Sequence, residues 1–245
     1  MNIRKLIQSY DPTAPLGEAW TIPSSWYLDP EVGELERKTV FSRSWHFAGR
    51  SEQVERPGQY VTCDIANEPV VIVRGTDGVL RGFFNVCRHH AAAVMTDSCG
   101  EASQLQCPYH GWTYALDGHL LGAPHMQELN FCREDYPLNR VHADLWDGHL
   151  FLNLSANPEP LSHQLASLPQ KFASWRMQDL RRQKRIIYEV KANWKLIVLN
   201  YNECLHCPVL HPCLNRLTNY LGADNEPPHR NYIGGSMGFR DGDRH

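Results

Sequence analysis

Apolar and polar residues alternate over short stretches through the first two-thirds of the chain. Residues 60–65, 69–74 and 80–86 are β-branched or alternating runs, the period-2 pattern of half-buried strands. Thr76-Asp77-Gly78 lies between the second and third runs and predicts a hairpin turn. A further strand is expected at 150–154. Ahead of these runs, Asp29-Pro30 predicts a helix to about Arg43, with Asp as N-cap and Pro at the first position. Behind them, Pro158 and Pro160 mark a boundary. Residues 161–177 carry a helical spacing broken near Pro169. Residues 185–191 read as a strand, 194 to about 205 as a helix, and the remainder as turn-rich. The pattern predicts an α+β chain in three parts: a helical segment over 1–44, an all-β module over 45–157 and a second domain over 158–245.

Composition narrows the function. A length of 245 residues suits one or two domains. The net charge of −3 and isoelectric point near 6.5 leave no basic footprint for nucleic acid. Mean hydropathy is −0.46 with no long apolar run, so no membrane span is expected. The first ten residues lack the apolar stretch of a secretory signal, and a cytoplasmic location is expected. In that setting the eight cysteines read as metal ligands plus buried thiols, not as a disulfide framework. Cys63, Cys99 and Cys132 are expected to be small packing residues.

Two Cys-His pairs carry the chemistry. They are Cys87-Arg88-His89 and Cys107-Pro108-Tyr109-His110, with seventeen residues between them. Two thiolates with two imidazoles suit a Rieske [2Fe–2S] centre, in which histidines replace two cysteines on one iron. Neutral imidazoles make the cluster less negative and raise its potential to about −150 to +300 mV, against about −400 mV for all-cysteine plant-type clusters. Cys2His2 is also a zinc set. Common zinc sites, however, pair like ligands, whereas each knuckle here mixes one Cys with one His.

A second constellation, Glu203, His206 and His211, has the form E-x2-H-x4-H. Residues five apart lie roughly 140° apart around an ideal helix, so the two histidines need a bent or ending helix to meet. Pro208 and Pro212 favour that break. Two histidines with a carboxylate can form the facial triad of non-heme Fe(II) oxygenases. Cys204 and Cys207, with His206, His211 and Cys213, leave a zinc-knuckle reading open.

Taken together, the flanks Asn85-Val86 and Gly111-Trp112, with Asn193-Trp194-Lys195 ahead of the second constellation, resemble the alpha subunits of Rieske non-heme iron oxygenases. Ring-hydroxylating dioxygenases and quaternary-ammonium oxygenases are the types in view. The resemblance runs from about Trp45 to the end. It implies an all-β Rieske domain ahead of a helix-grip catalytic domain. Cys87 and Cys107 would bind one cluster iron, His89 and His110 the other, and His206 and His211 a mononuclear Fe(II). Glu203 matches the acid that bridges a cluster histidine of one subunit to an iron histidine of its neighbour in a homotrimer. An NAD(P)H-dependent flavin reductase or a ferredoxin would supply electrons. O2 and a small organic substrate would be consumed in mono- or dioxygenation, with neither nucleic acid nor membrane involved. A Rieske electron carrier and a catalytically silent subunit are the rival functions.

Departures from the family pattern are His90, where Arg is common, and Leu205, where Tyr is common. The family's third iron ligand, an Asp on a later helix, is expected beyond residue 245. Asp224, Glu226, Asp241 and Asp243 sit in loop-like sequence. The chain therefore reads as the N-terminal part of a longer subunit, or as a naturally shortened relative.

Overall fold

The computed structural model describes residues 3–15, 17–126, 130–227 and 231–240. They form two compact units, Glu34–Arg185 and Met1–Gly33 with Ile186–His245.

The larger unit contains strands β1 (His46–Arg50), β2 (Gln59–Ile65), β3 (Glu68–Arg74), β4 (Leu80–Phe84), β5 (Cys99–Glu101), β6 (Leu105–Gln106), β7 (Thr113–Tyr114), β8 (Leu120–Gly122), β9 (Arg140–Trp146) and β10 (His149–Asn153). Seven make one sheet in the order β1-β10-β9-β4-β3-β2-β5, every described pairing antiparallel, and β6-β7-β8 form a small second sheet. The run Val70-Val71-Ile72-Val73 is fully buried, as a central strand covered on both faces must be. Alternation then divides it. Val71 and Val73 pack with Tyr60, Phe83, Trp112 and Tyr114, while Val70 and Ile72 pack with Val61, Leu150 and Leu152. The first of these cores includes Cys87 and Cys107, so the metal-type loops stand on the floor that β3 helps to build.

The three expected strands and the strand near 150 are present. The expected helix from Pro30 is Pro30–Thr39, followed by a 3₁₀ turn at Phe41–Arg43. Asp29 Oδ1 accepts from the Glu31 N–H at 2.9 Å, as an N-cap side chain does. Residues 161–177 break into Leu161–Leu165, Leu168–Phe172 and short 3₁₀ turns.

Three expectations need correction in the smaller unit. The stretch 185–191 is not a strand: it joins no ladder, and Ile186, Ile187, Tyr188 and Val190 are exposed. β-branched composition suits a strand only where a partner edge exists. The helix expected to reach 205 is Trp194–Tyr201, opened by Asn193, whose Oδ1 accepts from the Lys195 N–H. Finally, the turn-rich end contains a hairpin, β11 (Thr218–Asn225) with β12 (Gly235–Phe239). Its Gly- and Asn-rich strands conceal the usual apolar signal. No helix among the described residues is long and apolar enough to cross a membrane.

Candidate metal centres

The two Cys-His loops are conformational copies. In the first, the Cys87 N–H donates to Ala92 O and the Ala91 N–H to Cys87 O; in the second, the Cys107 N–H donates to Trp112 O and the Gly111 N–H to Cys107 O. The fourth residue after each cysteine is left-handed, Ala91 at φ 59° and Gly111 at φ 73°. Glycine takes that conformation freely, whereas alanine is strained there by roughly 1–2 kcal/mol. Asn85 braces the far end of the first loop. Its Oδ1 accepts from the Val94 and Met95 N–H groups, and its amide donates to Met95 O.

Cys87 and Cys107 are 3% and 2% exposed, unbridged and in side-chain contact with each other. Burial pushes the Cys107 thiol up, so a cation is what would favour its thiolate. At the loop tips the His89 and His110 rings lie 4.8 Å apart. The donor atoms of His89, His90 and His110 all fall within 4.8 Å of one another. His89 stacks on Trp112 at 4.9 Å and 2°. Burial, then the neighbouring His90 and His110, push the His89 imidazole toward its neutral form, which is the form that binds metal. Its Nδ1 is buried without a hydrogen-bond partner. Two buried thiols, two convergent imidazoles and an orphaned ring nitrogen fit a Rieske cluster.

The second site lies in the loop after Trp194–Tyr201. Glu203 Oε1 meets His206 Nδ1 at 2.5 Å, and Glu203 Oε2 accepts from the Leu205 N–H at 2.5 Å. The hydrogen bond to His206 lowers the Glu203 carboxyl below its usual range, against an opposing effect of desolvation. His206 and His211 meet edge-on with ring centroids 5.1 Å apart. The short helices Cys207–Leu210 and Pro212–Leu217 each carry Pro in the first turn, the break that the prolines predict. With Nδ1 held by a carboxylate, His206 keeps Nε2 for a metal, the usual outer-shell arrangement. The donors fit a mononuclear iron held by two imidazoles. Asp224 is on β11 opposite Ser236, and Glu226 follows that strand. Among the described residues neither joins the histidines in a three-donor group. Asp241 and Asp243 lie outside the described residues.

The cysteines depart from expectation. Cys204 and Cys207 form a disulfide, which takes both sulfurs out of the zinc-knuckle reading. Cys99 and Cys132 are exposed and Cys63 half-buried, so the first two are not packing residues.

Residues 44–137 match the Rieske [2Fe-2S] domain family, and 177–240 match the ring hydroxylating alpha subunit (catalytic domain) family. The chain belongs to the Rieske oxygenase alpha subunits. Their cofactors are a Rieske [2Fe–2S] cluster and a mononuclear iron. The glycine betaine monooxygenase oxygenase subunit of Chromohalobacter salexigens is 35% identical over 206 residues, covering 84% of this chain and 46% of the relative. The carnitine monooxygenase oxygenase subunit of Escherichia coli K12 is 37% identical over 198 residues, covering 80% and 53%. A crystal structure of the quaternary ammonium Rieske monooxygenase CntA with an inhibitor aligns at TM-score 0.85 and 31% identity, covering 92% of this chain and 63% of that one. The chain spans about half the length of the curated relatives it matches.

Proposed function

We propose that the chain belongs to the oxygenase component of a monooxygenase acting on a small quaternary ammonium compound. The observation that carries this reading is the convergence of two buried thiols and two imidazoles on two loops of one shape. In this reading Cys87 and Cys107 hold one iron of the cluster and His89 and His110 the other. His206 and His211 hold the mononuclear iron. When bound, the cluster supplies one-electron transfer and the iron supplies O2 activation. The chain's own residues do the positioning. Trp112 supports the His89 ring, Asn85 fixes the first loop, and Glu203 sets the tautomer and direction of His206. Glu203 is also the bridge between neighbouring subunits of a homotrimer; the structure of a related quaternary ammonium Rieske monooxygenase gives insight into inter-subunit electron transfer in that protein. An NAD(P)H-dependent flavin reductase or a ferredoxin is the electron donor.

The substrate class rests on relatives named for carnitine, glycine betaine and choline. Monooxygenation is favoured over dioxygenation on the same ground. Hydroxylation inserts one oxygen atom of O2 while the other leaves as water with two electrons from NADH. At a carbon next to the quaternary nitrogen the C–N bond then breaks to give an amine and an aldehyde; at the alcohol carbon of choline the product is an aldehyde that keeps its nitrogen. The holoprotein, with NADH and a flavin reductase, should form an aldehyde from one of those three substrates and leave naphthalene untouched. Dihydroxylated naphthalene with no aldehyde from any of the three would reverse the assignment. Two iron and two sulfide per chain are expected, with a further iron removable by a chelator. A single zinc at Cys87, His89, Cys107 and His110 would overturn the cluster.

A further inference from the structure

The segment Glu203-Cys204-Leu205-His206-Cys207 holds a carboxylate, an imidazole and a disulfide within five residues. Each cysteine directly follows one member of the Glu203–His206 pair. The backbone here is not held by a helix, because Trp194–Tyr201 has ended and Cys207–Leu210 has yet to begin. The carboxylate is 41% exposed, and an exposed carboxylate–imidazole contact is too weak to order a loop by itself. The Leu205 N–H bond to Glu203 Oε2 adds a local tie, and a covalent one lies beside it. Cys207 is buried, and the disulfide ties Cys204 to it across a Cα separation of 5.0 Å. The Cys207 N–H also donates to Cys204 O at 3.0 Å.

We infer that the Cys204–Cys207 disulfide is a reversible staple that holds Glu203 on His206 and thereby sets how firmly the histidines keep their metal. This rests on the reading of His206 and His211 as iron ligands. Both cysteines act as positioning residues, since their sulfurs are bonded to each other. The ring closes when two thiols lose two protons and two electrons to a hydroperoxide; with hydrogen peroxide the product is two waters. A dithiol reopens it and is itself oxidised. Removing the outer partner of a ligand histidine costs about 10–100-fold in metal affinity, so opening the ring should weaken metal retention toward that range.

The test uses the holoprotein after treatment with hydrogen peroxide or with dithiothreitol, each then removed, with the iron returned to Fe(II) by anaerobic ascorbate, which leaves a disulfide closed. Alkylation and peptide mass report the ring. Chelator competition reports Fe(II) release, and the EPR spectrum of the nitric-oxide adduct reports iron geometry. The Rieske EPR signal serves as internal control. Peroxide-treated protein should carry the 204–207 bridge and release Fe(II) about ten-fold more slowly than the reduced protein, with a changed nitric-oxide spectrum and an unchanged Rieske signal. The Cys204→Ser/Cys207→Ser variant should release iron at the reduced rate under both treatments. The wild-type comparison needs no substitution, so a variant that fails to fold does not decide the matter. Free thiols after peroxide, or equal release with the ring open and closed, would sink the staple while leaving the iron site standing. Iron absent from His206 and His211 in both states, with the ring closing normally, would refute the iron reading and the staple together.

Discussion

Tyr114 shows how one fully buried residue can tune the cluster site. Its hydroxyl accepts the Arg88 N–H at 3.0 Å and lies 3.4 Å from Cys87 Sγ. A phenol has one proton. With its oxygen already accepting from Arg88, that proton is directed at the sulfur. Burial raises the phenol's pKa well above its ordinary value, so the proton stays in place. Hydrogen bonds to ligand sulfurs help set cluster potential. A net bond of about 1 kcal/mol corresponds to roughly 40 mV for a one-electron couple. Tyr114→Phe should therefore lower the potential by about that much, measured by spectroelectrochemical titration; an unchanged potential would remove Tyr114 from the tuning. Cys63 offers a second prediction. Burial, aided by the Asp64 charge, pushes its thiol up to about 11. Only about one molecule in 10⁴ is then thiolate at pH 7, so iodoacetamide should label exposed Cys99 well before Cys63. The ligand candidates were legible in the sequence because chelate spacing is local. Ala91's left-handed backbone, Asn85's bracing and Tyr114's contact were not, since each depends on a turn or neighbour that has no local signature.

At the scale of elements, the β-module was readable because each strand has its partner within the described chain. Alternating residues met a real core on each face. Its hairpins are also closed by left-handed turns: Ala66-Asn67 between β2 and β3 and Asp147-Gly148 between β9 and β10. The Ala66-Asn67 turn carries no glycine and so lacks the usual hairpin signal. The turn between β7 and β8 is more demanding. Gly118 has φ 93°, and a Cβ there would run into the ring of fully buried Phe83. Phe83 belongs to the floor beneath Cys87 and Cys107, so it has little room to yield. Gly118→Ala should destabilise the module by about 1–3 kcal/mol from overpacking alone, with further strain from the backbone. Urea unfolding followed by loss of the cluster's visible absorption would measure it. A midpoint equal to wild type would mean that Phe83 can repack. Residues 185–191 and the β11–β12 hairpin defy the sequence pattern for opposite reasons. The former has strand composition and no partner among the described residues; the latter has a partner but Gly- and Asn-rich composition.

At the scale of the molecule, the two units differ in how they treat apolar surface. Glu34–Arg185 contains two buried apolar cores, although some of its apolar residues, such as Phe47 and Trp175, are exposed. In the other unit the helix Trp194–Tyr201, WKLIVLNY, has no buried residue. Ile187, Tyr188, Tyr201 and Leu205 are each more than 70% exposed. Six of the helix's eight residues are apolar, Lys195 and Asn200 being the exceptions, and exposed apolar surface of this kind is what protein contacts commonly bury. The sequence could not announce the difference, because hydrophobic periodicity reports what an element would bury and not whether its cover is present. The two units should therefore respond differently to protease. Few apolar contacts and an open backbone favour local unfolding, so the 245-residue chain should be cut first between 186 and 217. A resistant fragment bounded near Glu34 and Arg185 should remain and keep the visible absorption and EPR signal of the cluster. The intact chain should also bind an apolar dye such as anilinonaphthalene sulfonate, and the fragment much less. Early cleavage inside 60–120 with loss of the iron–sulfur absorption, while 186–217 survives, would show that the stability of the two units is the reverse of what their burial implies.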